Sequence, residues 1–390
     1  MSTMDILNVE ENLKAYINED NKEEVQVIVD EFKRGHFPNV LSKTKEFRQN
    51  HETSKTLGTT LSLLDATCHS QIGEGRQAAA IIKDLYQDMQ DKSTDEIILY
   101  GNLAFMCDYK LARKIMSDAV KQIENEEPID QIKAARAYLV LGEAEENLEK
   151  FLRAIKYYKR GLTYFQQENA QNDQNQMVLF LHFKLGALHS MINETDDAID
   201  YLQKTLELAG DTNAEIKINS LVSIAKMYGS KNEYEKANMY LEEAFPMFDE
   251  STLANKLVHA EAYTEMAFNY FDQSQYDQAV PYYEQAIAIH LKLPNYSPKE
   301  VGMIYMQYAY CLENKEQPNT LQAGRNYENA IEEIEKTNDP DLLENALADT
   351  IKFFEATGNT KKKRTYENKF VKMTNEKAKG WDMGTGTLSQ

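Results

Sequence analysis

Residues Tyr263–Ile289 read YTEMAFNYFDQSQYDQAVPYYEQAIAI. Large and small side chains alternate here at helical spacing. Tyr263, Met266, Ala267 and Tyr270 form one set; beyond Ser274-Gln275, Ala279, Tyr283 and Ala286 form another. Residues three and four apart share a helix face. The segment therefore reads as two amphipathic helices joined by a short turn. Alanine at 267 and 279 allows the two axes to approach closely, where a bulky side chain would hold them apart.

The same offsets recur upstream. Tyr138, Leu141 and Gly142 are followed by Ala154, Tyr158 and Gly161; His182, Leu185 and Gly186 by Ala198, Leu202 and Thr205; Leu221, Ile224, Ala225 and Tyr228 by Ala237, Leu241 and Ala244. Starts at Tyr138, His182, Leu221 and Tyr263 are spaced by 44, 39 and 42 residues. Downstream, Tyr308, Ala309 and Leu312 precede Ala323, Tyr327 and Ala330, with two extra residues near Pro318. Five copies between 134 and 336 resemble the tetratricopeptide pattern, lengthened from its usual period of about 34 residues. The expected fold is all-α: a right-handed superhelical solenoid of tetratricopeptide-like helix pairs with an N-terminal helical bundle. Residues 1–92 are assigned to the bundle, 93–372 to the solenoid and 373–390 to a tail. Weaker helix pairs are expected at Glu23–Lys33 with Pro38–Phe47, Leu57–Ile72 with Arg76–Met89, Ile97–Met106 with Tyr109–Gln122, and Leu342–Phe354 with Thr360–Val371. Residues 1–20 and Gly380–Gln390 lack periodicity and are expected to fray.

Composition agrees. Only 16 Gly and 8 Pro occur in 390 residues, too few for the tight turns of an all-β chain. The formal charge is −20, which repels phosphate backbones, so no nucleic-acid partner is expected. The charge is uneven. Residues 361–380 carry eight basic residues against Glu367 and Glu376, a local +6. Such a run is either a contact for an acidic partner or the solvated end of a terminal helix. Three widely spaced cysteines, Cys68, Cys107 and Cys311, do not form a disulfide framework. Met1–Asn8 lacks the basic-then-apolar pattern of a secretion signal, and no apolar run approaches the ~20 residues of a membrane span. A cytoplasmic protein with no membrane partner is expected.

No motif announces chemistry. Phosphate-binding glycine loops, HExxH and Cys-x-x-Cys are all missing. His182 and His189 share a face at packing positions without a third ligand at suitable spacing, so no metal is expected. Cys68 and His69 are adjacent, which on a helix points them about 100° apart and makes no catalytic dyad. No cofactor and no catalytic residue are assigned. Interest falls on the concave face, lined in this repeat class by the first helix of each pair. The register places Glu143, Asn147, Phe183, Asn219, Lys226, Phe268, Asp272, Tyr310 and Asn314 there. Asn amides offer a donor and an acceptor to a peptide backbone, and aromatic side chains offer apolar pockets. A short extended peptide is the ligand that suits this set.

The run Ser274-Gln275-Tyr276-Asp277-Gln278-Ala279-Val280-Pro281-Tyr282-Tyr283 resembles a repeat of the Rap-type receptors of Gram-positive bacteria. The length, the roughly 40-residue repeats and the helical N-terminus resemble that family too. The resemblance implies an intracellular, quorum-sensing regulator. It would bind a short signalling peptide and control a response regulator or transcription factor. Some members dephosphorylate their regulator with a Gln of the bundle. Here that position falls near Lys55, the accompanying helix reads Leu63-Leu64-Asp65-Ala66-Thr67-Cys68, and Gln49 and Gln71 do not fit. The family's groove Asn in the fourth repeat corresponds to Glu265, with Asn269 one turn on. A general interaction scaffold without a peptide signal is the alternative.

Overall fold

The computed structural model describes residues 9–14, 16–167, 172–210, 213–248 and 256–384. Their regular structure is helical throughout: α1 (Val9–Lys14), α2 (Lys22–Lys33), α3 (Phe37–Asn50), α4 (Lys55–Gln71), α5 (Gly75–Asp88), α6 (Thr94–Phe105), α7 (Tyr109–Ile123), α8 (Gln131–Asn147), α9 (Phe151–Gln167), α10 (Asn172–Met191), α11 (Thr195–Ala209), α12 (Ala214–Ser230), α13 (Tyr234–Ala244), α14 (Leu257–Asp272), α15 (Tyr276–His290), α16 (Pro298–Asn314), α17 (Thr320–Glu335), α18 (Pro340–Ala356) and α19 (Thr360–Gly384), with one 3-10 turn at Phe245–Met247. Two compact units result, Met1–Ala198 and Ile199–Gln390.

The helices start and stop where capping chemistry says they should. Asp108, Asp130, Ser297 and Asp339 each accept a hydrogen bond from an amide of the following first turn. The turns inside the pairs share one device. Glu149, Asn193, Asn232 and Ser274 adopt left-handed φ of 58, 61, 59 and 59°. The next amide then bonds back to a carbonyl of the last helical turn: Lys150 to Glu145, Glu194 to His189, Glu233 to Tyr228 and Gln275 to Tyr270, all at 2.8–2.9 Å. The turn near Pro318 differs because of its extra residues. Lys315 is extended, and the Glu316 amide donates to Asp277 Oδ2 at 2.9 Å.

The small residues of the pattern sit where the pairs meet. Ala154, Ala198, Ala225, Ala237, Ala244, Ala267, Ala279, Ala286, Ala309, Ala323 and Ala330 are all 0 % exposed. In the first unit, a side chain on Gly142 would collide with the Tyr158 ring. Helices within a pair pack on each other, as α8 does on α9 and α14 on α15, and the first helix also touches the first helix of the next pair, as α12 does α14 and α14 does α16. This is the stacking of helical repeats.

Within the expected frayed ends, residues 9–14 and 380–384 are helical, while 1–8 and 385–390 lie outside the described residues. Residues 9–14 form α1, with Leu13 buried, and Asn21 Nδ2 donates to the Tyr16 carbonyl at 2.9 Å. Two apolar residues four apart, Val9 and Leu13, suffice because the partner surface is tertiary. α19 runs past Gly380 to Gly384. Three of its basic residues pair with acidic ones: Lys362 with Glu328, Lys363 with Glu355 at 2.5 Å and Lys369 with Glu335 at 2.8 Å.

Candidate functional site

The first unit carries Glu143, Asn147 and Phe183 on α8 and α10. Glu143 and Phe183 are half-buried and Asn147 is exposed. Burial holds the Glu143 carboxyl above its ordinary range; Lys184 opposes the shift and Glu146 adds to it. Its neighbour Glu146 is fully engaged, accepting from Tyr158 Oη at 2.5 Å and Lys184 Nζ at 2.9 Å. Below them, the carboxylate of Glu145, 1 % exposed, lies 3.7 Å from both Arg113 and Arg153, tying α7, α8 and α9 together. Several polar groups of this face pair with one another, while the buried Glu145 Oε2 has its arginine at ion-pair distance and no hydrogen-bond partner among the described residues.

The second unit carries the other six. Lys226 Nζ lies 3.2 Å from Glu261 Oε2. Beside them Glu265 is pushed up to about 7, first by burial and further by Glu261, with Lys226 opposing. Glu265 has room because residue 229 is glycine: a side chain there would collide with its carboxylate and lie 3.0 Å from Asn269 Oδ1. Asn269 is fully buried and donates to Asn238 Oδ1 at 2.9 Å, while its own Oδ1 has no hydrogen-bond partner among the described residues. Phe268 is 36 % exposed, and Asp272 accepts from Tyr234 Oη at 2.6 Å.

Tyr310 is the centre of a different arrangement. Its ring lies 5.7 Å from those of Phe271 and Tyr276, which are 6.0 Å apart, and the three planes meet at 62–74°. Edge-to-face contacts of this kind suit the ring quadrupoles. A cleft of about 450 Å³ opens beside them, lined by Phe271, Met306, Tyr310, Tyr327 and Phe353 together with Glu313, Asp349 and Lys352. Tyr327 Oη donates to Glu313 Oε2 at 3.0 Å. Lys352 sits 3.3 Å from Asp349.

The expected residues are thus partly assembled. Tyr310 joins an aromatic cleft and Lys226 an acidic cluster. The amides behave differently from the expectation of a backbone grip. Asn147, Asn219 and Asn314 each donate from Nδ2 to the carbonyl four residues earlier at 2.8 Å, so one N–H of each is spent on its own helix. The sequence reading assigned neither Tyr276, which opens a second helix, nor Asp349 and Lys352, on a helix pair too degenerate to carry the register.

The cysteine and histidine positions have surroundings of their own. Cys68 is buried and its thiol pushed up to about 12 by burial. His69 Nδ1 contacts Glu74 at 2.6 Å instead. His189 Nδ1 contacts Glu194 at the same 2.6 Å, with Asp197 at 3.8 Å. The two His–Glu contacts share the five-residue spacing across a turn; at the second, His189, Glu194 and Asp197 bring three possible metal-ligand atoms within 4.8 Å of one another, a third ligand that the sequence spacing did not show. Leu63, Leu64, Ala66 and Cys68, where the resemblance would look for a catalytic helix, are core residues.

Residues 135–168 and 259–293 each match the tetratricopeptide repeat family model. No curated protein matches the sequence. Among solved structures, the apo form of RapI aligns with a TM-score of 0.55 at 16% identity, over 92% of this chain and 98% of that one. The C-terminal part of a TPR repeat-containing protein from Cytophaga hutchinsonii aligns at 0.51 with 15% identity, over 69% of this chain and 96% of that one. At these identities the likeness is one of fold. No helix among the described residues is long and apolar enough to cross a membrane.

Proposed function

We propose that the protein is a cytoplasmic regulator that takes a short extended peptide on the first-helix faces of its repeats and thereby controls a protein partner, such as a response regulator or transcription factor. In this reading residues 1–92 form the bundle that meets the partner, residues 93–372 hold the peptide and residues 373–390 are a tail. One observation carries it. The cleft beside Tyr310 has an aromatic lining, Phe271, Tyr310 and Phe353 from three consecutive first helices and Tyr327 from the second helix between them, with charged side chains at its wall. A surface that crosses successive repeats is the extended kind that stacked helical repeats present, and it suits an extended chain. The RapI-like fold and the Rap-type resemblance of the fourth repeat support the regulatory role.

The test uses the full chain, immobilised and exposed to a degenerate library of hexapeptides. Retained peptides should slow amide exchange across Met303–Asn314 and change the capture of a bound protein partner. Failure to retain any peptide would remove the reading. A second reading, a scaffold without a peptide signal, is favoured by Leu152. It is 71 % exposed on α9, a helix without an acidic residue that also exposes Lys156. Partner capture indifferent to every retained peptide would select it.

A further inference from the structure

The cleft of the second unit has a composition that says more than "peptide". Phe271 and Tyr310 line it and, with Tyr276 behind them, contact one another edge to face, and Tyr310 remains 43 % exposed. The cleft wall adds two carboxylates, Glu313 and Asp349, against one cation, Lys352. A cation over an aromatic face is attracted by the ring quadrupole, and a nearby carboxylate adds a direct ion pair.

Building on the peptide reading above, we propose that this cleft is a subsite for a cationic side chain of the bound peptide, an alkylammonium or guanidinium, seated against the Tyr310 ring and paired with Asp349 and Glu313. Lys352 is not an obstacle. It is 77% exposed and its pair with Asp349 spans one helical turn on the surface; such pairs are weak and readily exchanged. Glu313 is oriented by the Tyr327 hydroxyl, which occupies Oε2 and leaves a second carboxylate oxygen for the ligand. The apolar stem of Lys or Arg would lie along Met306 and Phe271, as long cationic side chains do on apolar surfaces.

The experiment sequences the hexapeptides retained from the degenerate library by the full chain. Lys or Arg should be enriched at one fixed position. For a retained peptide with Arg there, replacing that Arg by neutral citrulline should weaken binding about tenfold. The loss should shrink to less than threefold in Asp349→Asn and in Tyr310→Leu, each checked for an unchanged circular dichroism spectrum. Asp349 is exposed, so its variant keeps the test valid if the aromatic one misfolds. Peptides retained without a fixed basic position, or equal binding of the Arg and citrulline forms, would overturn this inference and leave the peptide reading standing. No retained peptide at all would overturn both.

Discussion

The first-helix faces of the two units use polar groups in opposite ways. Around Glu143, the groups close on themselves: Glu146 is shared by Tyr158 and Lys184, and Glu145 by two arginines. Around Tyr310, aromatic rings stay partly open and Asp349 pairs with an exposed lysine turn-mate. A face whose hydrogen-bonding capacity is used internally stabilises the stack. A face with open rings and loosely held carboxylates has interaction energy left for a ligand. The lesson is that repeats with the same packing code divide labour by what stands outside the code.

Substitutions at matched positions should widen this contrast. The largest effect is expected from the tyrosines. Tyr158 is 0 % exposed, and Tyr158→Ala should destabilise by about 4 kcal/mol. Tyr310→Ala removes a ring that is 43 % exposed and should cost about 1 kcal/mol. Urea midpoints read by circular dichroism measure both; equal losses would erase the contrast. Next come the glycines. Gly142→Ala drives a methyl into a ring packed in the core and should cost about 3 kcal/mol. Gly229→Ala meets the end of the Glu265 side chain, which can rotate away, so about 1 kcal/mol is expected.

Glu265 should give a smaller, pH-dependent effect. The folded protein holds its proton more tightly than the unfolded chain, with a value raised from 4.5 to about 7. Its contribution to stability is therefore fully present below about pH 4.5 and is lost as pH rises through about 7. Glu265→Gln should raise stability by about 2 kcal/mol at pH 8 and leave pH 4.5 nearly unchanged. His259 and His290 act in the other direction. Burial lowers both, so the unfolded chain gains protons first and stability falls as pH drops below 6.5. With Glu265 removed, thermal midpoints between pH 7 and 5 should fall more steeply than in the wild type. The smallest change is expected at the C-terminal helix. Lys369→Ala breaks an exposed pair with Glu335 and should cost about 0.5 kcal/mol, with the difference disappearing in 1 M salt.

The repeat architecture was legible because close helix packing tolerates few residue types: Ala267, Ala279 and Tyr283 declare their burial by size alone. Helices α2 to α7 were found as pairs from apolar spacing. α1 escaped because Val9 and Leu13 bury against distant residues, which no local pattern records. The site was less legible. Position along a helix named Tyr310 and Lys226, yet whether an Asn amide faces a ligand or bonds to its own helix is a rotamer choice. Tyr276 entered the aromatic group from a second helix through the turn between them. Asp349 sits on a pair whose packing residues have drifted too far for the register to be carried over.

The left-handed turns have a consequence for building with this chain. At Asn232 and Ser274 the backbone leaves one helix and enters the next through nearly the same φ and the same back-bonded amide. Those joints are governed by main-chain geometry, so the segment between them is a cassette with matching ends. A second copy of residues 233–274, spliced after Ser274, would enter and leave through joints already in use, and arrays of chosen length could be assembled without designing a new connection.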